Sequence, residues 1–153
     1  MLARISFDNN PTVLFQHVAA CWEEARGANA FPARTDIRPS KLASALPYVS
    51  LLELIPGDPP DFLYRLMGQH LIINAGQNIT GMRSSQLPAS TPNGRPIYQS
   101  YVDCIRSGQV QQRMSSIINL NGTARTIHWS VWPLAADGRT PDGLLGSALY
   151  TDA

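Results

Sequence analysis

Five consecutive residues, Pro56-Gly57-Asp58-Pro59-Pro60, constrain the fold of this chain more than any other feature. Proline lacks the amide proton that a helix or a ladder needs, and glycine and aspartate favour tight turns. No regular element can therefore run through the block. Apolar runs flank it, Tyr48 to Ile55 before and Phe62 to Met67 after. Two such runs around dense turn chemistry predict an antiparallel hairpin. A symmetric turn sets Glu53 opposite Arg65 and Leu51 opposite Met67. A cross-strand charge pair of that kind adds roughly 0.2–1 kcal/mol. Leu52, Leu54, Phe62, Tyr64 and Leu66 then share the other face, the expected inner wall of the domain.

Upstream, Asn10-Pro11 has the form of a helix start, and Gly27 that of a stop. Between them Leu14, Val18, Cys21, Trp22 and Ala25 recur at helical spacing, so residues 11–26 read as an amphipathic helix. Residues 28–38 read as a loop, and Pro39 to Leu46 as a short helix stopped by Pro47. After the hairpin, Gln69 to Ala75 forms a short helix ended by Gly76. A turn at Thr80-Gly81, one helical turn at Ser84 to Leu87 and a loop over 88–94 lead to a longer helix, Arg95 to Ser107. Three strands follow, Val110 to Ile118, Thr123 to Leu134 and Leu144 to Tyr150. Asn121-Gly122 is the tight-hairpin signal between the first two. Trp129 and Trp132 sit three apart on one strand and must face opposite sides of the sheet. Trp129 groups with Ile127 and Val131, and Trp132 is left for the N-terminal helix or a dimer contact.

The chain of 153 residues suits one domain, and with 44% apolar and 15% charged residues it is globular. A net charge of +1 with no basic stripe argues against nucleic acid as a partner. No stretch approaches the roughly 20 apolar residues of a membrane span, and the first residues lack the apolar core of a signal peptide. The expected location is the cytoplasm. Cys21 and Cys104 lie at no metal or redox spacing and read as reduced thiols within helices. Asn78-Ile79-Thr80 and Asn121-Gly122-Thr123 match the glycosylation pattern but read as turns here. Zinc spacings, phosphate loops, dinucleotide fingerprints and nucleophile elbows do not occur.

Two strands, a helical crossing segment and three antiparallel strands resemble the element order of PAS domains. The local residues sharpen the resemblance. Phe62-Leu63-Tyr64-Arg65-Leu66-Met67-Gly68 is similar to the "fRYRLxGt" stretch of a family of mostly standalone bacterial PAS proteins. Gln69 stands where that family commonly has Thr. Trp22, Pro32-Ala33-Arg34, Asp36, Ile37, Pro39 and Leu46-Pro47-Tyr48-Val49 resemble its lead-in, and Asn78-Ile79-Thr80-Gly81 its "elTG" turn. The resemblance covers residues 20–85 by motif and the rest by strand pattern. It implies an α+β domain over residues 1–153: a five-stranded antiparallel sheet with helices packed on one face and an additional N-terminal amphipathic helix. The core of that domain is expected at 48–151, with the extra helix at 11–26.

The implied role is regulatory, a bacterial signalling module that binds a small ligand, a protein partner or both, and not an enzyme. The alternatives are a pure dimerisation module with a filled core and a small cavity enzyme. With the chain ending just after the last strand, no output module is expected, and a signal would leave through a downstream signalling protein. A ligand pocket is expected to be lined by Tyr64, Leu66, His70, Ile73, Tyr101 and Trp129. Of the three histidines, His70 is the candidate for contacting an anion or a haem iron, His17 is expected at the surface, and His128 points away from Ile127 and Trp129. A homodimer contact is expected at Leu14, Val18 and Trp22, unless that stripe covers its own sheet. No metal site is expected, and no motif supports haem or flavin. The cysteine motif of light-sensing flavin PAS domains is absent, and Cys104 lies on the wrong element for its chemistry.

Overall fold

A computed structural model describes residues 7, 9–87 and 94–152 of the chain. The expected loop at 88–94 therefore falls, up to residue 93, outside the described residues. The first hairpin forms as its turn block dictates, with β1 at Val49–Ile55 and β2 at Asp61–Met67. The three late strands are β3 at Gln111–Ile118, β4 at Ala124–Leu134 and β5 at Gly143–Asp152. All pairings are antiparallel, in the order β2-β1-β5-β4-β3, so the last strand closes the sheet by pairing with the first. The β3–β4 turn places Gly122 at φ +79°, the left-handed region glycine adopts at little cost.

Helix α1, Pro11–Arg26, starts where Asn10 accepts a hydrogen bond from the Val13 amide at 3.2 Å. Its buried residues Leu14, Phe15, Val18 and Trp22 join Val49, Trp132, Leu134, Leu145 and Leu149 from one face of the sheet. Trp22 Nε1 donates to the Pro133 carbonyl at 2.8 Å, and Phe15 meets Trp132 edge-on. Burying a side chain of this size contributes roughly 1.5–3 kcal/mol. Leu14, Val18 and Trp22, expected at a dimer contact, are thus corrected to intramolecular core. The sheet presents an apolar face that must be covered, and α1 is the apolar surface that covers it. His17, expected at the surface, is half-buried with Nε2 3.1 Å from the Leu42 carbonyl.

The opposite face carries α3, Gln69–Ala75, and α4, Gly94–Ser107, while the short α2, Pro39–Leu42, packs near α1. Here a second core forms from Leu52, Phe62, Tyr64, Leu71, Tyr101, Trp129 and their neighbours. Trp129 and Trp132 fall on opposite faces, one in each core.

The hairpin register departs from the symmetric expectation. Leu51 pairs with Leu66 and Leu52 with Tyr64, so Arg65 is an extra residue on β2. Such a bulge shifts the alternation by one beyond it. Leu66 turns outward and is 39% exposed, while Met67 turns inward onto the core. On the turn side of the bulge the turn itself sets Glu53 opposite Leu63 rather than Arg65, yet Arg65 still donates to it diagonally at 2.7 Å.

Gly68, where β2 passes into α3, has a direct physical reason. A Cβ there would collide with the backbone oxygens of Leu46 and Pro47. The glycine of the "RYRLxG" stretch is thus required by chain packing.

Candidate functional site

Across the middle of the sheet, the residues facing α3 and α4 are small. Ser50 pairs with Gly146 in register, and Ala148 follows two places on. A Cβ at Gly146 would strike the Ser50 hydroxyl, which lies over it. With so little side-chain volume on the floor, the helices cannot close onto it. A cavity of about 420 Å³ remains. That lies within the roughly 300–1,000 Å³ of small-molecule pockets.

The walls come from every surrounding element. Strand β2 supplies Tyr64 and Met67, α3 Leu71 and Ala75, α4 Ile97, Tyr98 and Tyr101, β4 Ile127 and Trp129, and β5 Tyr150. The aromatics are held by bonds of their own. Tyr64 and Tyr101 share a buried hydroxyl–hydroxyl bond at 3.0 Å. Trp129 Nε1 donates to Ser100 Oγ at 2.8 Å, and that hydroxyl donates to the Ile97 carbonyl. Burial pushes the Tyr64 phenol up to about 12, against the opposing hydrogen bond from Tyr101. Burial, then the nearby Tyr64 and Tyr150 phenols, raise Tyr101 well above its ordinary value. These hydroxyls stay protonated at neutral pH.

At one side of the cavity, Asp61 accepts hydrogen bonds from Ser84 Oγ, Ser85 Oγ and the amides of Phe62 and Ser85, at 2.5–3.1 Å. Burial alone would raise its carboxyl, but these bonds outweigh burial and hold it below the usual carboxylate range. Tyr98 donates to the Pro60 carbonyl beside it at 2.6 Å. At the other side, Asn119 fastens the β3–β4 turn to α3. Its amide nitrogen donates to the Asn74 carbonyl, and its oxygen accepts from the amides of Asn121 and Thr123.

Of the six expected pocket residues, Tyr64, Tyr101 and Trp129 line the cavity, and Leu66, His70 and Ile73 do not. The bulge at Arg65 turns Leu66 out. Ile73 is 65% exposed because α3 buries Leu71 and, one turn on, turns Ala75 inward; a residue two places from Leu71 lies on the far side of the helix. His70 stands between the Tyr48 and Tyr150 rings, 4.5 and 6.0 Å away, and its Nε2 accepts from the Tyr150 amide at 3.2 Å. That bond engages Nε2, and burial lowers the ring's pKa. Ser50, Met67, Leu71, Gly146, Ala148 and Tyr150 escaped the sequence reading. The period-two run Leu144, Gly146, Ala148, Tyr150 is the signal that could have revealed the last three.

Among the described residues no group of three or more histidine, cysteine or acidic side chains could hold a metal ion, and no helix is long and apolar enough to cross a membrane.

No curated protein matches the sequence. Solved structures do resemble the fold. The Rhodobacter sphaeroides LOV protein is 17% identical with a TM-score of 0.53, over 67% of this chain and 58% of its own. The chain thus spans less than two thirds of that protein. A light-oxygen-voltage domain studied with a flavin analogue is 13% identical with a TM-score of 0.55, over 74% and 83%. The LOV domain of a blue-light activated histidine kinase from Erythrobacter litoralis EL346 is 13% identical with a TM-score of 0.52, over 69% and 96%. At these identities the likeness speaks for the fold alone.

The cavity does not fit a flavin nucleotide. Its phosphate wants a cation and its ring edge wants amide partners. The described lining holds no lysine, arginine, histidine or cysteine, and its one amide, Asn119, is engaged by the turn and α3. Cys104 is buried on α4 with its Sγ 3.6 Å from the Val131 carbonyl, off the cavity wall, and burial pushes its thiol up to about 12. A family model described as "PAS domain" matches residues 12–149, from the first turn of α1 almost to the end of β5. A match of that extent takes in the solid face, the sheet and the hollow alike, and the chain belongs to the PAS domain family.

Proposed function

We propose that this protein is a regulatory module of bacterial cytoplasmic signalling that binds a small molecule between its sheet and the helices α3 and α4, and that it catalyses nothing. The observation that carries the reading is the cavity of about 420 Å³ over a floor of Ser50, Gly146 and Ala148. Tyr64, Tyr101 and Trp129 would contact the ligand directly. The wall favours binding over chemistry: its phenols are held protonated, and the one carboxylate of the described lining, Asp61, is engaged by surrounding donors. Neither offers a base poised near neutrality. Native mass spectrometry with an absorbance spectrum tests this. One small molecule retained or taken up per chain is the expected result; a protein that retains nothing and takes up nothing from a small-molecule library would refute it.

A downstream protein or a second copy would read the bound state. With the α1 stripe buried, the feature favouring such a contact is Met114, 66% exposed on β3 at the end of the sheet order. Sedimentation of wild type against Met114→Glu measures this. An associated wild type that falls to monomer in the variant is expected; identical behaviour of the two would remove the β3 contact.

A further inference from the structure

The cavity wall carries an unspent hydrogen-bond donor. Tyr64 and Tyr101 bring two hydroxyls, and so two protons, to one spot. The bond between them uses one proton. The other has no acceptor among the described residues, although both side chains are more than nine-tenths buried. Tyr150 lies near enough to bear on both phenols, and its hydroxyl likewise has no protein partner among the described residues. Around these donors the wall is apolar, from Met67, Leu71, Ile97, Ile127 and Trp129. Leaving a buried donor without an acceptor is unfavourable, so an occupant supplying an acceptor is favoured over one that does not. A charged occupant finds no opposite free charge: no lysine, arginine or histidine stands on the described lining, and Asp61 is already engaged.

We propose that the cavity selects an uncharged, largely apolar molecule carrying a carbonyl oxygen, which accepts the free proton of the Tyr64–Tyr101 hydroxyl pair. The inference rests on the ligand-binding reading above and names the ligand class for the same site. The phenols donate at any physiological pH, because both stay protonated. The pair acts as a unit: whichever hydroxyl donates to its neighbour, the other is left for the ligand. The Phe62 ring, 5.4 Å from that of Tyr101 and backed by the Tyr98 ring 6.0 Å from it, packs the pair from the side and limits its movement.

Calorimetric titration with three probes of one shape tests this: benzophenone, diphenylmethane, which lacks the carbonyl, and 4-benzoylbenzoate, which adds a charge. Benzophenone is expected to bind about fivefold tighter than diphenylmethane, the worth of one net hydrogen bond. The anion is expected to bind at least about tenfold more weakly than the ketone. In the double variant Tyr64→Phe, Tyr101→Phe the ketone preference should vanish while diphenylmethane still binds. Should that variant fail to fold, the infrared carbonyl stretch of benzophenone on the wild type decides. A shift to lower frequency on binding supports the bond, and a stretch as in hydrocarbon overturns it. Equal binding of ketone and hydrocarbon, a preference that survives the double variant, or preference for the anion each overturns this inference and leaves the ligand-binding reading standing. Binding of none of the three overturns the assignment of apolar ligands to the cavity, and retention of a different molecule in native mass spectrometry would then preserve the sensing role alone.

Discussion

The two faces of the sheet are built from alternate residues of the same strands, yet one is solid and the other hollow. Toward α1, β5 presents Leu145 and Leu149, β4 presents Trp132 and Leu134, and β1 presents Val49. Toward α3 and α4, the same central stretch presents Gly146 and Ala148 from β5 and Ser50 from β1. Protein interiors pack to near-crystalline density, so large side chains on the α1 side leave no space. On the other side the aromatic walls meet each other before the helices reach the small floor. The difference shows that a one-residue alternation of large and small side chains can make one face of a sheet a foundation and the other a receptacle.

The largest effect is expected on the solid face. Val18 is fully buried there, so Val18→Glu places a carboxylate in a closed apolar layer. A loss of more than about 4 kcal/mol in chemical denaturation is expected. A variant that stays as stable as wild type and merely changes its association state would break the comparison, because α1 would then be an interface. Next comes the contrast between neighbours on β5. Leu149→Ala should cost about 2–5 kcal/mol, since the close-packed layer cannot collapse onto the space. A cost below about 1 kcal/mol would mean that this face also holds slack.

A smaller effect is expected from pH at the seam between the faces. Burial lowers the His70 pKa in the folded chain, and its Nε2 accepts from the Tyr150 amide, so folding favours the neutral ring. The sign follows from linkage. Stability is fully present above the unfolded value near 6.5 and is lost as pH falls from there through the folded pKa. The half-exposed ring limits the loss to under about 1 kcal/mol. His70→Gln keeps an acceptor for the amide and removes the titration, so its denaturation midpoint should vary less between pH 7 and 5 than that of wild type. Identical pH dependence in both proteins would remove His70 from the seam.

The smallest stability effect belongs to the hollow face. Ala148→Leu adds side-chain volume where the cavity has space, and it should change stability by less than about 1 kcal/mol while abolishing uptake of apolar probes. A strong destabilisation would show that the floor is already packed. Unimpaired uptake would place the ligand elsewhere.

Much of this architecture is legible in the residues themselves. Pro56 to Pro60 can only be a turn, Asn10-Pro11 opens α1, and the Leu14/Val18/Trp22 stripe must be buried. The alternation around Trp129 and Trp132 assigns those rings to opposite faces. The cavity was only half legible. Tyr64, Tyr101 and Trp129 follow from strand and helix periodicity, which local sequence controls. Leu66 and Ile73 follow the same periodicities to the wrong place. A single bulge at Arg65 reverses the strand alternation, and the tilt of α3 about its axis is set by what it packs on rather than by its seven residues.

Backbone periods, turns and the identity of each apolar stripe were thus determined by the sequence alone, because they depend on contacts a few residues apart. What covers each stripe was decided only in the tertiary structure. Whether α1 serves a partner or its own sheet depends on residues more than a hundred positions away, as the bond from Trp22 to Pro133 illustrates. The hollow is of the same kind. It exists because Ser50 and Gly146, nearly a hundred residues apart, meet as one small floor under aromatic walls that hold the helices off.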